Sequence, residues 1–325
     1  MDKLLLVVLL TLSAPPARGD AVTVKLGTLA PAGSAWHDAL KDMARRWEEA
    51  SGGLVKLRVY AGGVQGDEGD MIRKLSVGQL QAVAVSNVGL HDVATEPQAF
   101  STPLLFGNDA EMECALGRVK DRMDAALRQR GLVALQWSRL GNAVFFCNAP
   151  FRTPAELARA KVFAWAGDPA TVKAWRAAGM KPVVLSTNDL VPALTTGMVD
   201  CAANLPLYML TSRAFERARH LVDLPLGPVL GATVVRKDVW DRVPQEVQEK
   251  LLEISRDVGA RIDAEVRRLN ADAVDAMKGQ GLEVVAVERE QWLPPLEKTW
   301  SVIRGEVVPA EFFDVVKAAR DACRG

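Results

Sequence analysis

The chain has 325 residues, with 40 Lys and Arg against 40 Asp and Glu, 49% hydrophobic and 25% charged. That length corresponds to about two domains, each large enough for a real core. Balanced charge offers neither counterion release nor long-range steering, so no nucleic-acid partner is expected. Three scattered histidines (His37, His91, His220) and four separated cysteines predict no metal site and no cofactor.

Residues 1–19 carry Lys3, an apolar run over 4–12, Pro15-Pro16 and the small-residue pattern Ala17-Arg18-Gly19. These are the three parts of a cleavable signal peptide, and the apolar run is too short to span about 30 Å of hydrocarbon. The mature protein is expected to start near Asp20 to Val22, in the periplasm or outside the cell, where disulfides persist. Cys114, Cys147, Cys201 and Cys323 lack zinc spacing and allow three pairings, among which spacing does not choose.

Residues 22–27 alternate apolar and polar as a half-buried strand does, and a loop through Pro31 and Gly33 follows. Ser34 then caps a helix with the stripe Leu40, Met43, Ala44, Trp47, which Ser51-Gly52-Gly53 stops. Residues 54–60 alternate again, giving one β-α-β unit of a parallel sheet. A helix over 67–77, a strand over 82–86, a long helix over 108–130 and strands over 133–137 and 142–148 follow. Thr153 and Pro154 start a short helix as N-cap and first residue. From 161 the alternation restarts: strand 161–166, helix 169–178, strand 182–185, a helix from Asn188-Asp189, and strand 200–204. This reads as a second sheet-centred domain. After a strand over 232–236, residues 244–278 form one helical pattern of about 50 Å, long enough to brace both halves. A strand over 282–287, a helix around 292–304 and an amphipathic piece from Ala310 close the chain. The fold class is α/β.

The glycine-rich stretch Ala61-Gly62-Gly63-Val64-Gln65-Gly66-Asp67-Glu68 lacks the Lys-Ser/Thr of a P-loop and places two acids where phosphate would sit. It reads as a tight turn with Asp67 at a helix start. No nucleophile elbow and no His-Glu-x-x-His occurs, and Glu48-Glu49 and Glu288/Glu290 read as solvated faces. Trp137, Phe163, Trp165 and Leu205 fall near strand ends, where α/β clefts are built.

Five segments in order and spacing then carry a family likeness: AGGVQGDEGDMIRKLSVGQLQAVAVS (61–86), STPLLF (101–106), FCNAPFRTPAELARAKVFAW (146–165), ALTTGMVDCAANLPL (193–207) and VVRKDVWDRVPQEVQEKL (234–251). Together they resemble the solute-binding proteins of tripartite ATP-independent periplasmic (TRAP) transporters, the DctP-type family. The resemblance implies a two-lobed periplasmic binding protein fold, type II-like, with crossing strands and a long helix spanning both lobes. It assigns 20–144 plus 231–268 to lobe I and 145–230 plus 269–325 to lobe II. The implied function is capture of a small organic ligand between the lobes, without catalysis, and delivery to membrane permease subunits driven by an ion gradient. An exported enzyme that has recruited the cleft, and a receptor that signals to a sensor, are the alternatives.

The sequence departs from the family pattern at one telling place. Members carry an Arg in a Lys-Ile-Arg-Val strand that pairs with a substrate carboxylate; here the strand reads Lys161-Val162-Phe163-Ala164-Trp165, with Phe163 at the Arg position. The Gln-Glu-Asn segment is likewise Ala202-Ala203-Asn204. A buried carboxylate without its partner costs several kcal/mol, so a ligand with a sizeable apolar part is expected. A helical-repeat (TPR-type) periplasmic partner goes with such clefts in the family. The expected ligand-binding residues are Phe163, Trp165, Asn204, Trp137, Leu205, Asn87 and Gln65, with Arg139 as a candidate replacement for the missing cation.

Overall fold

The computed structural model describes residues 21–166 and 168–324; the expected signal peptide lies outside them. Nine strands are present among these residues: β1 Val22–Thr28, β2 Val55–Tyr60, β3 Ala82–Ser86, β4 Leu132–Cys147, β5 Lys161–Trp165, β6 Lys181–Leu185, β7 Cys201–Asn204, β8 His220–Arg236 and β9 Glu283–Val285. The helices that matter below are α1 Ala35–Ala50, α2 Glu68–Ser76, α3 Asp109–Gln129, α4 Pro169–Ala177, α5 Pro206–Thr211, α6 Gln245–Lys278, α7 Arg289–Val302 and α8 Ala310–Asp321.

Two sheet-centred domains were expected; the strands instead form one mixed sheet in the order β2-β1-β3-β8-β4-β7-β5-β6, with β9 on β8. The reason is the length of β4 and β8. The stretches read as separate strands over 133–137 and 142–148 are one continuous β4, and β8 starts at His220, twelve residues before the apolar run that signals it. Residues 132–138 of β4 pair with 231–236 of β8, whose other edge pairs with β3, whereas 144–147 pair with β7. The two long strands therefore cross from one lobe to the other, as the resemblance implies.

The crossing is irregular. The β4–β8 register shifts between Ala134 and Gln136, between Arg139 and Gly141, and between Ala143 and Phe145. Bulges of this kind bend a strand and raise its twist. Gly141 holds φ +123°, a backbone conformation that L side chains rarely adopt.

Each lobe owns its apolar clusters. Leu26, Met43, Trp47, Leu251, Val258 and Ile262 pack between α1, β1 and the first half of α6. Phe146, Phe163, Met209, Phe215 and Met277 pack around the last turn of α6 in the other lobe. The 34-residue α6 thus braces both, over about 50 Å. One expected boundary needs correction: Ile303, Val307, Phe312, Phe313 and Val316 pack with Phe100, Met112 and Val119. The last helix, α8, thus sits against α3 on lobe I, while Glu306 just before it lies 3.3 Å from Lys173 of lobe II.

Of the three open disulfide pairings, the structure has Cys114–Cys323 and Cys147–Cys201. The first ties α3 to the C-terminal end, holding α8 on lobe I. The second joins residues directly opposite in the β4–β7 ladder.

Candidate functional site

A cavity of about 390 Å³ lies where the lobes face each other across the crossing strands. That is the size of a small-molecule site. The end of β3 and the start of α2 supply Glu68, Ser86 and Asn87; the crossing strands supply Leu140, Ala143, Pro228 and Val229; lobe II supplies Phe163, Trp165, Asp168, Trp175, Asn204, Leu205 and Tyr208.

The lobe I wall is a hydrogen-bonded turn. The Asp67 carboxylate accepts from the Asp70 N–H at 2.8 Å in a reciprocal capping box, which confirms the helix start read from the glycine-rich stretch. The next residue, Glu68, is thereby aimed back at β3. Its Oε1 accepts from the Ser86 N–H at 2.7 Å and its Oε2 from the Ser86 hydroxyl at 2.6 Å. Burial pushes this carboxyl above its ordinary range, although the Ser86 and Gly89 donors oppose the shift. Asn87 is 2% exposed; its Nδ2 donates to Ser101 Oγ at 3.1 Å, and that hydroxyl donates to the Pro228 carbonyl at 2.7 Å. With Nδ2 and Ser101 so engaged, the Asn87 Oδ1 is left buried without a partner.

The lobe II wall is aromatic. Parallel pairing of β5 with β6 and β7 sets Phe163 beside Val183 and Ala202, and Trp165 at the strand end. Asp168 caps α4, accepting from the Thr171 N–H at 3.0 Å and from the Thr171 hydroxyl. Trp175, two turns along α4, packs its ring 5.5 Å from that of Phe145 and leaves its indole N–H without a partner. The Asn204 Oδ1 accepts from the Leu205 N–H at 2.8 Å. Burial raises the Tyr208 phenol above its ordinary pKa.

Of the seven residues singled out from the sequence, Phe163, Trp165, Asn204, Leu205 and Asn87 are brought together here. Trp137 and Gln65 are not. Trp137 is turned into the lobe I core, where its indole N–H donates to Asp124 of α3 at 2.7 Å. The outward-going strand position near a strand end gave no hint that α3 covers that face. Gln65 is held away by Lys74, whose Nζ donates to its carbonyl at 2.8 Å and to its Oε1 at 3.2 Å.

Arg139, the candidate cation, is not among the residues that line the cleft. It is 4% exposed and spends its guanidinium on α3, 3.0 Å from Asp109 and 2.8 Å from Glu113. Its backbone N–H donates to Asp263 of α6 at 2.7 Å. None of the described lining residues is Lys, Arg or His. The residues that the sequence reading missed are Glu68, Asp168, Trp175 and Tyr208. Asp168 carried a signal, as an Asp-Pro helix start, and Glu68 followed a capping Asp; for Trp175 and Tyr208 the helical stripe is that of an ordinary core.

Beside the cleft, Asn270 of α6 clamps the crossing. Its Nδ2 donates to the Leu140 carbonyl at 3.2 Å and its Oδ1 accepts from the Leu207 N–H of α5 at 3.1 Å. A Cβ on Gly141 would sit 2.8 Å from that Nδ2.

Known proteins share this fold. Residues 26–304 match the model of the DctP family, described as bacterial extracellular solute-binding protein, family 7. The C4-dicarboxylate-binding periplasmic protein DctP of Rhodobacter capsulatus is 26% identical over 281 residues, 84% of this chain and 83% of that protein. The sialic acid-binding periplasmic protein SiaP of Vibrio cholerae is 22% identical over 93% of this chain and 95% of its own. The fold of a TRAP periplasmic solute-binding protein from Pseudomonas putida F1, solved with bound D-glucuronate, superposes with a TM-score of 0.83 at 23% identity, covering 93% of this chain and 98% of that one. One from Desulfovibrio salexigens with bound orotic acid gives 0.84 at 18% identity, covering 93% and 98%. With the family model spanning most of the chain and the two-lobed fold in place, the chain belongs to the DctP family, the bacterial extracellular solute-binding proteins of family 7.

Proposed function

We propose that this receptor captures, between its lobes, a small organic ligand with a substantial apolar part, and hands it to the membrane permease of a TRAP-type transporter. The observation that carries the apolar part is the lining: Phe163, Trp165, Trp175, Leu205 and Tyr208 line the lobe II wall, and no cation stands among the described lining residues. Each aromatic ring covered by ligand contributes up to a few kcal/mol through excluded water. A small dicarboxylate would lose its hydration and find no guanidinium in return. The relatives named above bind acids, so this reading departs from them on the strength of Phe163 and of Arg139, whose charge is already matched by Asp109 and Glu113.

The proposed role is binding alone. Contacts from both walls would favour a closed state over an open one, with β4 and β8 as the hinge. A periplasmic location follows from the family and from the reading of residues 1–19, and no helix among the described residues is long and apolar enough to cross a membrane. The helical-repeat partner finds no support in the relatives and is left out of the proposal. Calorimetric titration with succinate and with aryl-substituted small molecules, paired with solution scattering, tests the reading. Micromolar binding of an aryl compound with compaction is expected; succinate bound tightly, with aryl compounds ignored, would overturn it.

A further inference from the structure

Two acidic side chains line the cleft, and among the described residues neither faces a counter-ion. Glu68 and Asp168 are 8% and 7% exposed, come from opposite lobes, and line the same cavity. Every hydrogen-bond partner of either carboxylate among the described residues is a neutral donor: Ser86 and Gly89 for Glu68, Thr171 for Asp168. Among the described residues neither makes an ion pair, whereas the buried Arg139 and Arg320 each face acids within 4 Å. A carboxyl buried without an opposite charge is costly to ionise, and a cation supplied by a ligand would remove that cost.

A third group points the same way. The Asn87 Oδ1 is a buried acceptor without a donor, on a residue that lines the cavity beside Ser86. The cleft therefore sets two carboxyl groups and one amide oxygen, all open to a donor-rich group, beside the aromatic wall of lobe II. Acids joined with aromatic faces suit a desolvated organic cation, which ring quadrupoles attract and anions neutralise.

We propose that the ligand carries a positive charge: an organic ammonium or guanidinium with an apolar body, its charge held between Glu68 of lobe I and Asp168 of lobe II. This rests on the receptor reading above and names its ligand class. Because the two carboxylates sit on opposite lobes, the cation would also be the bridge that favours closure.

The test uses three probes of one shape: phenethylammonium, 2-phenylethanol and phenylacetate, titrated calorimetrically into the whole exported chain. Charge-assisted bonds in a dry site lead us to expect the ammonium to bind roughly ten- to hundredfold tighter than the alcohol, with the carboxylate weakest. Glu68→Gln and Asp168→Asn keep an acceptor in place, and each should flatten the order while circular dichroism shows the fold intact. Equal binding of all three, or a preference for phenylacetate that survives in both variants, overturns the cation and leaves the apolar receptor standing. Failure of all three at millimolar concentration, with succinate bound, overturns both.

Discussion

Removing the cross-strand disulfide should cost the protein a large share of its stability. Cys147 and Cys201 close a loop of 54 residues, face each other in the β4–β7 ladder and are fully buried. In the chain-entropy view, a loop of that length restricts the unfolded chain by about 4 kcal/mol at 25 °C. Unfolding roughly 300 residues carries an entropy of about 0.6 kcal/mol/K, so the expected fall in melting temperature is about 6–7 °C. The assay is differential scanning calorimetry of Cys147→Ala/Cys201→Ala beside the parent chain, each with and without reductant. Reductant should lower the parent's melting temperature further than the double substitution does, because it also opens the Cys114–Cys323 loop of separation 209. A shift under 2 °C in the double variant would refute the reasoning, by showing that the unfolded 54-residue segment gains no freedom or that the native ladder relaxes without its bridge.

Three further outcomes are expected. Gly141→Ala should cost about 1–3 kcal/mol in chemical denaturation, since it combines positive φ with a clash against Asn270, whereas Gly33→Ala, also at positive φ but with nothing within 4 Å, should cost less; equal costs would remove the Asn270 clamp from the explanation. Asp42→Asn should cost up to about 1 kcal/mol at pH 7, because hydrogen bonds from Arg261 and Arg45 hold that carboxyl below its ordinary value. The sign follows from linkage: a depressed folded pKa stabilises above the unfolded value and the gain disappears as pH falls through the folded one, so urea denaturation should show the gap closing in acid and not in base. Trp165→Ala should weaken any tight ligand at least tenfold while leaving the melting temperature of the unliganded protein nearly unchanged, because the ring lies at the cleft rim and is only half-buried.

Local signals carried much of the fold. Ser34, Asp67, Asn108 and Thr153 all cap helices through their side chains, as polar residues before an apolar stripe should. The break between lobes was legible only in part, because it is not a break in the chain's pattern. β4 runs through Gly141 and Asn142, and β8 through Gly227-Pro228, residues that punctuate most strands but here mark the crossing. The misplaced C-terminal segment has a similar cause: the stripe of Phe312, Phe313 and Val316 states that α8 is buried without stating against what.

The cleft shows the same limit. Phe163 was readable as a departure because the neighbouring motif fixes the position. Trp137 and Trp165 both read as near strand ends in the sequence, yet Trp137 lies within the continuous β4 under α3, and Trp165 ends β5 at the cleft. That choice belongs to helix placement rather than to strand periodicity. Glu68 stood out in the sequence only as the second of two acids where a phosphate would sit; the fold of α2 against Ser86 is what separates the exposed capping Asp67 from the buried Glu68.

The central claim is that this receptor grips its ligand without a basic anchor, and the ligand that accompanies the protein out of the cell tests it most directly. Mass spectrometry of whatever is released on denaturing freshly exported protein should identify a stoichiometric compound with an apolar body and no carboxylate. A uronate, sialate or C4-dicarboxylate at that stoichiometry would contradict the account.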